Sequence, residues 1–327
     1  MTDKNIVNSL EELIGNTPLI RLSRFCKSED LKHNILGKCE FLNSGGSVKD
    51  RIAFHMVRKA EESGQLKPGG TILEATAGNT GIGLAQVAAL RGYRLITVMS
   101  EKVSKDKVNF LKALGAETVV LPGGKPISDP DNFMNRARKM AEETGAWLAN
   151  QFYNEANAEA HYLTTGPEVW NQTGGNLDAI VAGVGTGGTL SGTGRYLKEH
   201  KADVKVVLAD PIGSSLADFV EGKETKSGSY LVEGIGQDFI PGNFDIKLVD
   251  DVVRVSDADA ISMSKKMLKA EGIFLGSSSG CIIAAAVDYA KRLEGKERNI
   301  VAILPDGGRG YLSTIYDDEW LRVKLGK

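Results

Sequence analysis

Short apolar runs with strand character alternate with amphipathic helical runs along most of the chain. Strands are predicted at residues 72–75, 94–99, 117–121, 179–183, 204–209 and 299–304. Helices are predicted at residues 81–90, 105–114, 132–144, 257–271 and 279–293. Because parallel strands must be joined by crossover segments, this alternation predicts an α/β fold with mostly parallel sheets. A chain of 327 residues is long for one core, so two domains are expected.

Composition excludes several classes of function. The chain carries 40 basic and 42 acidic residues, a net charge of −2, so neither a nucleic-acid nor a membrane-surface partner is implied. No apolar run approaches 18 residues, and the polar start is not typical of a signal peptide. An odd number of cysteines without close spacing argues against a disulfide framework and for a reducing cytoplasm. The four scattered histidines indicate no metal site; we expect His161 to be a structural or rim residue.

Residues 43–51 read Asn-Ser-Gly-Gly-Ser-Val-Lys-Asp-Arg and precede a run with helical spacing at 52–62. Ser47 is a capping-type residue, which predicts it as the N-cap and places Lys49 in the first helical turn. An ammonium is disfavoured at this partly positive helix end, so a neutral amine or an imine is easier to hold there. Lys49 is therefore a candidate for Schiff-base chemistry. The alternative on local grounds is a solvated surface lysine.

Two further glycine-rich turns lie between a strand-like run and a helical run. Residues 76–83 read Thr-Ala-Gly-Asn-Thr-Gly-Ile-Gly, and residues 183–189 read Gly-Val-Gly-Thr-Gly-Gly-Thr. A strand, a glycine turn and a helix together form an anion site, because backbone N–H groups converge on a phosphate with the helix dipole behind them.

The second turn also fits the dinucleotide-binding pattern G-x-G-x-x-G. Its glycines would be Gly183, Gly185 and Gly188, and Asp210 follows at about the distance of a ribose contact. An NAD-dependent oxidoreductase is therefore an alternative of a different class. Against it, a dehydrogenase has no use for Lys49, and the pattern lies in mid-chain behind an earlier α/β unit.

These three segments and the run Gly-Ser-Ser-Ser-Gly at 276–280 resemble, in order, the motifs of the β-family of pyridoxal-phosphate enzymes. This fold-type II group contains cysteine synthase and cystathionine β-synthase. The resemblance covers nearly the whole chain and implies two three-layer α/β domains, as in the tryptophan synthase β-like fold. Residues 1–46 with 153–327 would form the larger, cofactor-binding domain, and residues 47–152 the smaller one. It also implies a cytoplasmic homodimer of the bacterial type, without a haem segment or regulatory domain.

The resemblance implies pyridoxal 5'-phosphate as the cofactor and assigns residues to it. Lys49 would hold it as an imine and later act as the base that removes the Cα proton. Asn79 would hydrogen-bond the ring oxygen, and Ser278 would meet the pyridine nitrogen. A neutral hydroxyl there makes the ring a weaker electron sink, which favours β-elimination over transamination. The phosphate would be bound by Gly185, Thr186, Gly187, Gly188 and Thr189.

Six further positions are implied to hold the amino-acid substrate: Thr76, Ala77, Gly78, Thr80, Gln151 and Gly234. Ala77 replaces a serine that is common in the family, which removes one hydroxyl near the substrate. Residues 307–309 (Gly-Gly-Arg) follow Asp306 where a serine often stands. We expect the glycine- and serine-rich segment 213–239 to be a mobile loop near the site entrance.

Two segments of the sequence narrow the choice of substrates. Residues 38–41 and 232–241 resemble the cystathionine β-synthase branch, which predicts β-replacement on serine with homocysteine to give cystathionine. The alternative is cysteine synthase, which joins O-acetylserine and sulfide. Gln237 favours this alternative, since many cystathionine β-synthases carry an aromatic residue there. So does the lack of a basic residue that can be placed against the distal carboxylate of homocysteine.

Overall fold

A computed structural model describes residues 6–76, 78–101, 103, 105–123, 125 and 129–326. Within these residues ten strands form: β1 (Leu19–Arg21), β2 (Asn34–Cys39), β3 (Thr71–Ala75), β4 (Arg94–Ser100), β5 (Glu117–Leu121), β6 (Trp147–Leu148), β7 (Ala179–Gly183), β8 (Lys205–Pro211), β9 (Asp251–Val255) and β10 (Asn299–Leu304).

The same residues form twelve α-helices and four short 3-10 turns. The helices are α1 (Ser23–Ser28), α2 (Lys49–Glu62), α3 (Asn79–Arg91), α4 (Lys105–Ala113), α5 (Phe133–Thr144), α6 (Ala156–Leu163), α7 (Thr165–Thr173), α8 (Gly188–His200), α9 (Leu216–Glu221), α10 (Asp257–Glu271), α11 (Ser277–Arg292) and α12 (Asp318–Leu325). None of these helices has both the length and the apolar character needed to span a bilayer.

The strands build two sheets. The larger has six strands in the order β1-β2-β10-β7-β8-β9, and only β1 runs antiparallel to its neighbour. The smaller has four parallel strands in the order β5-β4-β3-β6. The predicted α/β class with mostly parallel sheets is confirmed.

Each sheet is packed on both faces, which makes each a three-layer unit. Along β7, Val181 packs into a core with α10 and α11, whereas Ile180 faces a second core with α7 and α8. In the smaller sheet, Ile72 packs with α2 and α3, and Leu73 packs with α5. Successive side chains of a strand point to opposite faces, so strands buried on both sides read as continuous apolar runs.

The larger sheet takes its strands from residues 19–39 and 179–304, and the smaller sheet from residues 71–148. The boundaries predicted at 46/47 and 152/153 fall outside every strand. The division into two domains at these points stays a prediction.

The sequence prediction is wrong about one segment. Residues 213–239, expected to be a loop, contain the helix α9. This helix is short and ends at Gly222, whose left-handed backbone angle stops it. The rest of the segment is irregular, and part of it lines the cavity described below.

A buried network of charges fastens α2 to the larger sheet. Arg51 on α2 donates to Glu40 after β2 and to Glu168 on α7, both at 2.7 Å. Lys38 on β2, fully buried, also contacts Glu168 at 2.7 Å. Burial opposes ionisation of Glu40, but Arg51 and Lys38 outweigh it and hold the pKa of this carboxyl at about 2. Two cations and two anions therefore neutralise one another in the interior.

We expect Arg51→Met to lower the free energy of unfolding by about 3–5 kcal/mol, because Glu40 would remain buried without its guanidinium. Urea unfolding at pH 7 measures this change. Arg94→Met is the matched control, since Arg94 pairs with Glu117 on the exposed surface. Its effect should stay below about 1 kcal/mol. Similar losses in the two variants would contradict the prediction.

Candidate active site

A cavity of about 430 Å³ lies at the carboxyl ends of strands from both sheets. Ala75 and Ser100 end β3 and β4 on one side, and Gly183 and Pro305 mark the ends of β7 and β10 on the other. Ligands of open parallel sheets bind at this edge. The volume lies in the range of small-molecule sites, which is about 300–1,000 Å³.

The structure brings most of the predicted site residues together. Gly188 does not line the cavity itself but begins the adjacent helix α8. Ala77 lies outside the described residues. The predicted residues that line the cavity are Lys49, Thr76, Gly78, Asn79, Thr80, Gln151, Gly185, Thr186, Gly187, Thr189, Gly234 and Ser278.

Lys49 is the first residue of α2, but the predicted cap is wrong by one position. Val48 is the N-cap, and its apolar side chain has no atom that could accept a capping hydrogen bond. Ser47 is held one residue earlier by a bridge to Asp306. Its hydroxyl accepts the Lys49 backbone N–H at 3.1 Å.

Lys49 is partly buried and lines the cavity. Burial lowers its pKa, and the nearby carboxyl of Asp306 opposes this effect. The helix N-terminus also disfavours an ammonium at this position. The amine is therefore more easily kept neutral than that of a surface lysine, as a nucleophilic or basic lysine requires.

The turn between β7 and α8 forms a cradle for an anion. Gly187 has a left-handed backbone (φ 90°), and the N-terminus of the 13-residue helix α8 follows directly. A Cβ at Gly188 would lie 2.0 Å from Asn157 Oδ1, so only glycine fits. The Asn157 amide donates to Thr186 Oγ1 at 2.9 Å and fixes this hydroxyl. Backbone N–H groups and hydroxyls at a helix N-terminus are suited to phosphate.

His161 supports the same cradle from behind. Its two ring nitrogens contact Thr189 Oγ1 at 3.1 Å and Thr165 Oγ1 at 2.8 Å. Burial, with Arg51 nearby, lowers its pKa to about 3, so the ring is neutral. His161 is an interior residue and not a rim residue.

A chain of hydrogen bonds forms the opposite corner of the cavity. Thr80 Oγ1 donates to Gln151 Oε1 at 2.6 Å, and Gln151 Nε2 donates to Glu74 Oε1 at 3.1 Å. Glu74 is fully buried, and burial raises its pKa to about 7 against the hydrogen bonds it accepts. Glu74 orients Gln151 and Thr80, and the sequence analysis did not single it out.

The raised pKa of Glu74 makes the free energy of unfolding depend on pH. The unfolded chain ionises Glu74 near pH 4.5 but the folded chain only near pH 7, so stability from this group is lost as the pH rises between the two. The side chain of the Glu74→Gln variant cannot ionise, so this variant does not lose that stability as the pH rises. We expect its free energy of unfolding, relative to the unmodified protein, to gain about 1–3 kcal/mol from pH 4.5 to 8. Urea unfolding across this range measures it; a difference independent of pH would refute it.

Asp306, two residues after the end of β10, is a second residue to which the sequence analysis assigned no role. Its Oδ2 accepts the Asn79 amide at 2.8 Å and the Tyr311 hydroxyl at 2.7 Å. Among the described residues that line the cavity, Lys49 is the one basic residue and Asp306 is the one carboxylic acid. The position of Asp306 at the carboxyl end of a parallel strand was a usable signal.

Asp210 does not act as the dinucleotide alternative requires. Its Oδ2 accepts the Ala217 backbone N–H at 2.9 Å in the first turn of α9, and Asp210 is not among the lining residues. In the part of the chain that the structure describes, no group of three His, Cys, Asp or Glu residues is arranged to hold a metal ion. Its three cysteines are buried and unpaired with each other: Cys26, Cys39 and Cys281.

The chain is similar to several known proteins. The model of a family described as "Pyridoxal-phosphate dependent enzyme" matches residues 10–306. The chain is 46% identical to cysteine synthase 1 of Emericella nidulans, covering 98% of this chain and 88% of that protein. It is 44% identical to cystathionine β-synthase of Apis mellifera, covering 95% of this chain but only 62% of that protein.

The fold is also similar to a solved structure. The crystal structure of an O-ureido-L-serine synthase superimposes with a TM-score of 0.87 and 37% identity. The match covers 97% of this chain and 99% of the other.

Proposed function

The chain belongs to the family of pyridoxal-phosphate-dependent enzymes, and from this premise we propose that it catalyses β-replacement on serine or an activated serine. The observation that carries the proposal is the shared cavity. A lysine amine with a lowered pKa, an anion cradle and a hydrogen-bonding corner all face the same space. A β-replacement needs these three elements for covalent attachment of the cofactor, its phosphate and the substrate carboxylate.

The residues fit pyridoxal phosphate. Glycines 185, 187 and 188 leave room for a phosphate at the α8 N-terminus, with Thr186 and Thr189 beside it. A Cβ at Gly185 would lie 2.2 Å from the Gly234 carbonyl oxygen. The bound cofactor supplies an electron sink for negative charge at the substrate Cα.

The protein residues divide the remaining work. Lys49 would attach the cofactor, and its amine, whose pKa is lowered, would serve as the base for the Cα proton. Asn79 would hold the ring oxygen of the cofactor, and Ser278, in the first turn of α11, would contact its pyridine nitrogen. Thr80 and Gln151, with Thr76, hold the substrate carboxylate at the corner fixed by Glu74.

For the substrates, we now favour O-acetylserine and sulfide, the reaction of a cysteine synthase. Lys49 is the one basic residue among the described residues that line the cavity. The distal carboxylate of homocysteine would therefore be desolvated there without a cation, which is costly. Sulfide carries no such group. The sequence-based preference for homocysteine rested on segments that do not supply this charge.

Cystathionine synthesis remains the second candidate, because of one observation. The segment that resembles the cystathionine β-synthase branch does line the cavity, through Val232, Gly234, Ile235 and Gln237. Gln237 Nε2 donates to the Gly185 carbonyl at 3.2 Å, so its side chain lies against the proposed phosphate cradle.

The working form is proposed to be a cytoplasmic homodimer. Support comes from the family resemblance and from apolar residues near the N-terminus, where Leu13 is half exposed. Small amino-acid and thiol or sulfide molecules are the proposed partners.

Lys49→Ala should abolish covalent attachment of pyridoxal phosphate and reduce turnover by roughly 10²- to 10⁴-fold or more, since general-base catalysis alone has this magnitude. Mass spectrometry after borohydride reduction shows whether the cofactor is fixed to the chain. Lys59→Ala, an exposed lysine on the same helix, is the control and should keep both properties. Unchanged turnover in Lys49→Ala would disprove the proposed function.

Competition between substrates decides the reaction. We expect kcat/KM for O-acetylserine with sulfide to exceed that for serine with homocysteine by at least about tenfold, or 1.4 kcal/mol. Acetate leaves without a proton donor, whereas hydroxide needs one. Gln237→Lys would add a cation to the cavity and should raise the use of homocysteine relative to sulfide. Higher kcat/KM for serine with homocysteine in the unmodified enzyme would assign it as a cystathionine β-synthase.

A further inference from the structure

Asp306 ties together the three segments that carry Lys49, Asn79 and Ser278. Its backbone pairs with Ser47, two residues before Lys49. Its carbonyl oxygen accepts the Gly276 N–H at 3.2 Å and the Ser279 hydroxyl at 3.0 Å, on either side of Ser278. Its side chain accepts the amide of Asn79, which is 227 positions away in sequence.

The two carboxyl oxygens of Asp306 have different surroundings. Oδ2 accepts both the Asn79 amide and the Tyr311 hydroxyl. Oδ1 is buried and has no hydrogen-bond partner. It packs against Gly276, where a Cβ would lie only 2.1 Å away. The carboxyl group is thus confined by shape on one side and by two donors on the other.

This arrangement dictates how the Asn79 amide is turned. A carboxylate oxygen can only accept a hydrogen bond, so the NH2 end of the Asn79 amide must face Oδ2 of Asp306. One N–H of Asn79 Nδ2 is then used by Asp306, and the second remains for an acceptor in the cavity. Without this partner, the amide could equally present its carbonyl oxygen, which cannot donate.

We propose that Asp306 is a positioning residue that fixes the Asn79 amide so that its free N–H is directed at the ring oxygen of pyridoxal phosphate. The inference rests on the proposed function for the contact between Asn79 and the cofactor. It adds the residue that makes this contact possible in only one orientation.

Protonation of Asp306 does not change this orientation. Burial raises the pKa of the carboxyl, while Tyr311, Asn79, Lys107 and Lys49 lower it. A proton on the carboxyl would occupy Oδ1, which has no partner, since two donors already point at Oδ2. Oδ2 accepts in both states. The positioning therefore depends on an acceptor at Oδ2 and not on the charge.

The test compares holoenzymes of the unmodified protein, Asp306→Ala, Asn79→Ala and the double variant. The absorbance maximum of the bound cofactor and its retention in equilibrium dialysis are measured. Each single variant should shift the maximum and bind the cofactor about tenfold more weakly, a change of about 1.4 kcal/mol. The double variant should be no weaker than Asn79→Ala, because residues that act through one contact are not additive.

Asp306→Asn separates the hydrogen bond from the charge. Asn79 and Tyr311 would hold its amide oxygen at the Oδ2 position, so this variant should restore the absorbance maximum. Tyr311→Phe removes a donor to the same oxygen but leaves the Asn79 contact, and its maximum should also be unshifted. If Asp306→Ala does not fold, Asp306→Ser, whose shorter hydroxyl does not reach Asn79, takes its place.

The outcomes distinguish the inference from the function beneath it. Unmodified protein without a cofactor absorbance band would refute the proposed function. A normal band, with losses from Asp306→Ala and Asn79→Ala that add in the double variant, would refute only the role of Asp306. Asp306→Asn with the same shift as Asp306→Ala would assign the effect to charge and also overturn the inference.

Discussion

The backbone hydrogen bond from Val48 to the Pro305 carbonyl, at 2.8 Å, joins the start of α2 to the end of β10. β10 lies between β2 and β7 inside the larger sheet, so its end is held on both sides. Lys49 follows Val48 directly, so the same hydrogen bond fixes where Lys49 lies. The amine thereby reaches the carboxyl edge of the sheet, where the proposed phosphate cradle after β7 also lies.

The buried charges of Lys38, Glu40, Arg51 and Glu168 secure the same helix farther along. Replacing such a network with apolar side chains is often neutral or stabilising, so stability alone does not explain it. Its geometry does restrict α2 to one position relative to β2 and α7. The network therefore fixes the position of α2. Its two positive and two negative charges balance, so it adds no net charge to the interior near Lys49.

The sequence predicted the elements whose apolar runs are uninterrupted, such as β5, β7 and β10, with correct bounds. It missed β2, whose run Asn-Ile-Leu-Gly-Lys-Cys is broken by Gly37 and Lys38. Lys38 is fully buried, and no local pattern reveals a lysine that is neutralised by a residue 130 positions away. It also missed the short strands β1 and β6, which depend on their neighbours for pairing.

The candidate site, like the fold, could be predicted only in part from the sequence. Glycine turns before helices are local signals, and the structure gathers them around one cavity together with Lys49. The residues that orient them are not local. Asp306 and Glu74 act on partners 227 and 77 positions away, and no local sequence pattern identifies those partners. Only the folded sheets bring these carboxyl groups into hydrogen-bond contact with the amides that they orient.

The cavity also limits what can enter after the amino acid is bound. Its described lining offers one base, Lys49, to which the proposed function assigns the cofactor and the Cα proton. Asp306 is committed to Asn79 and Tyr311, and Gln237 to the Gly185 carbonyl. A second substrate therefore finds no further basic groups among the described residues that line the cavity. A small nucleophile needs none of them, whereas one that carries a distant carboxylate would need a cation that these residues do not provide.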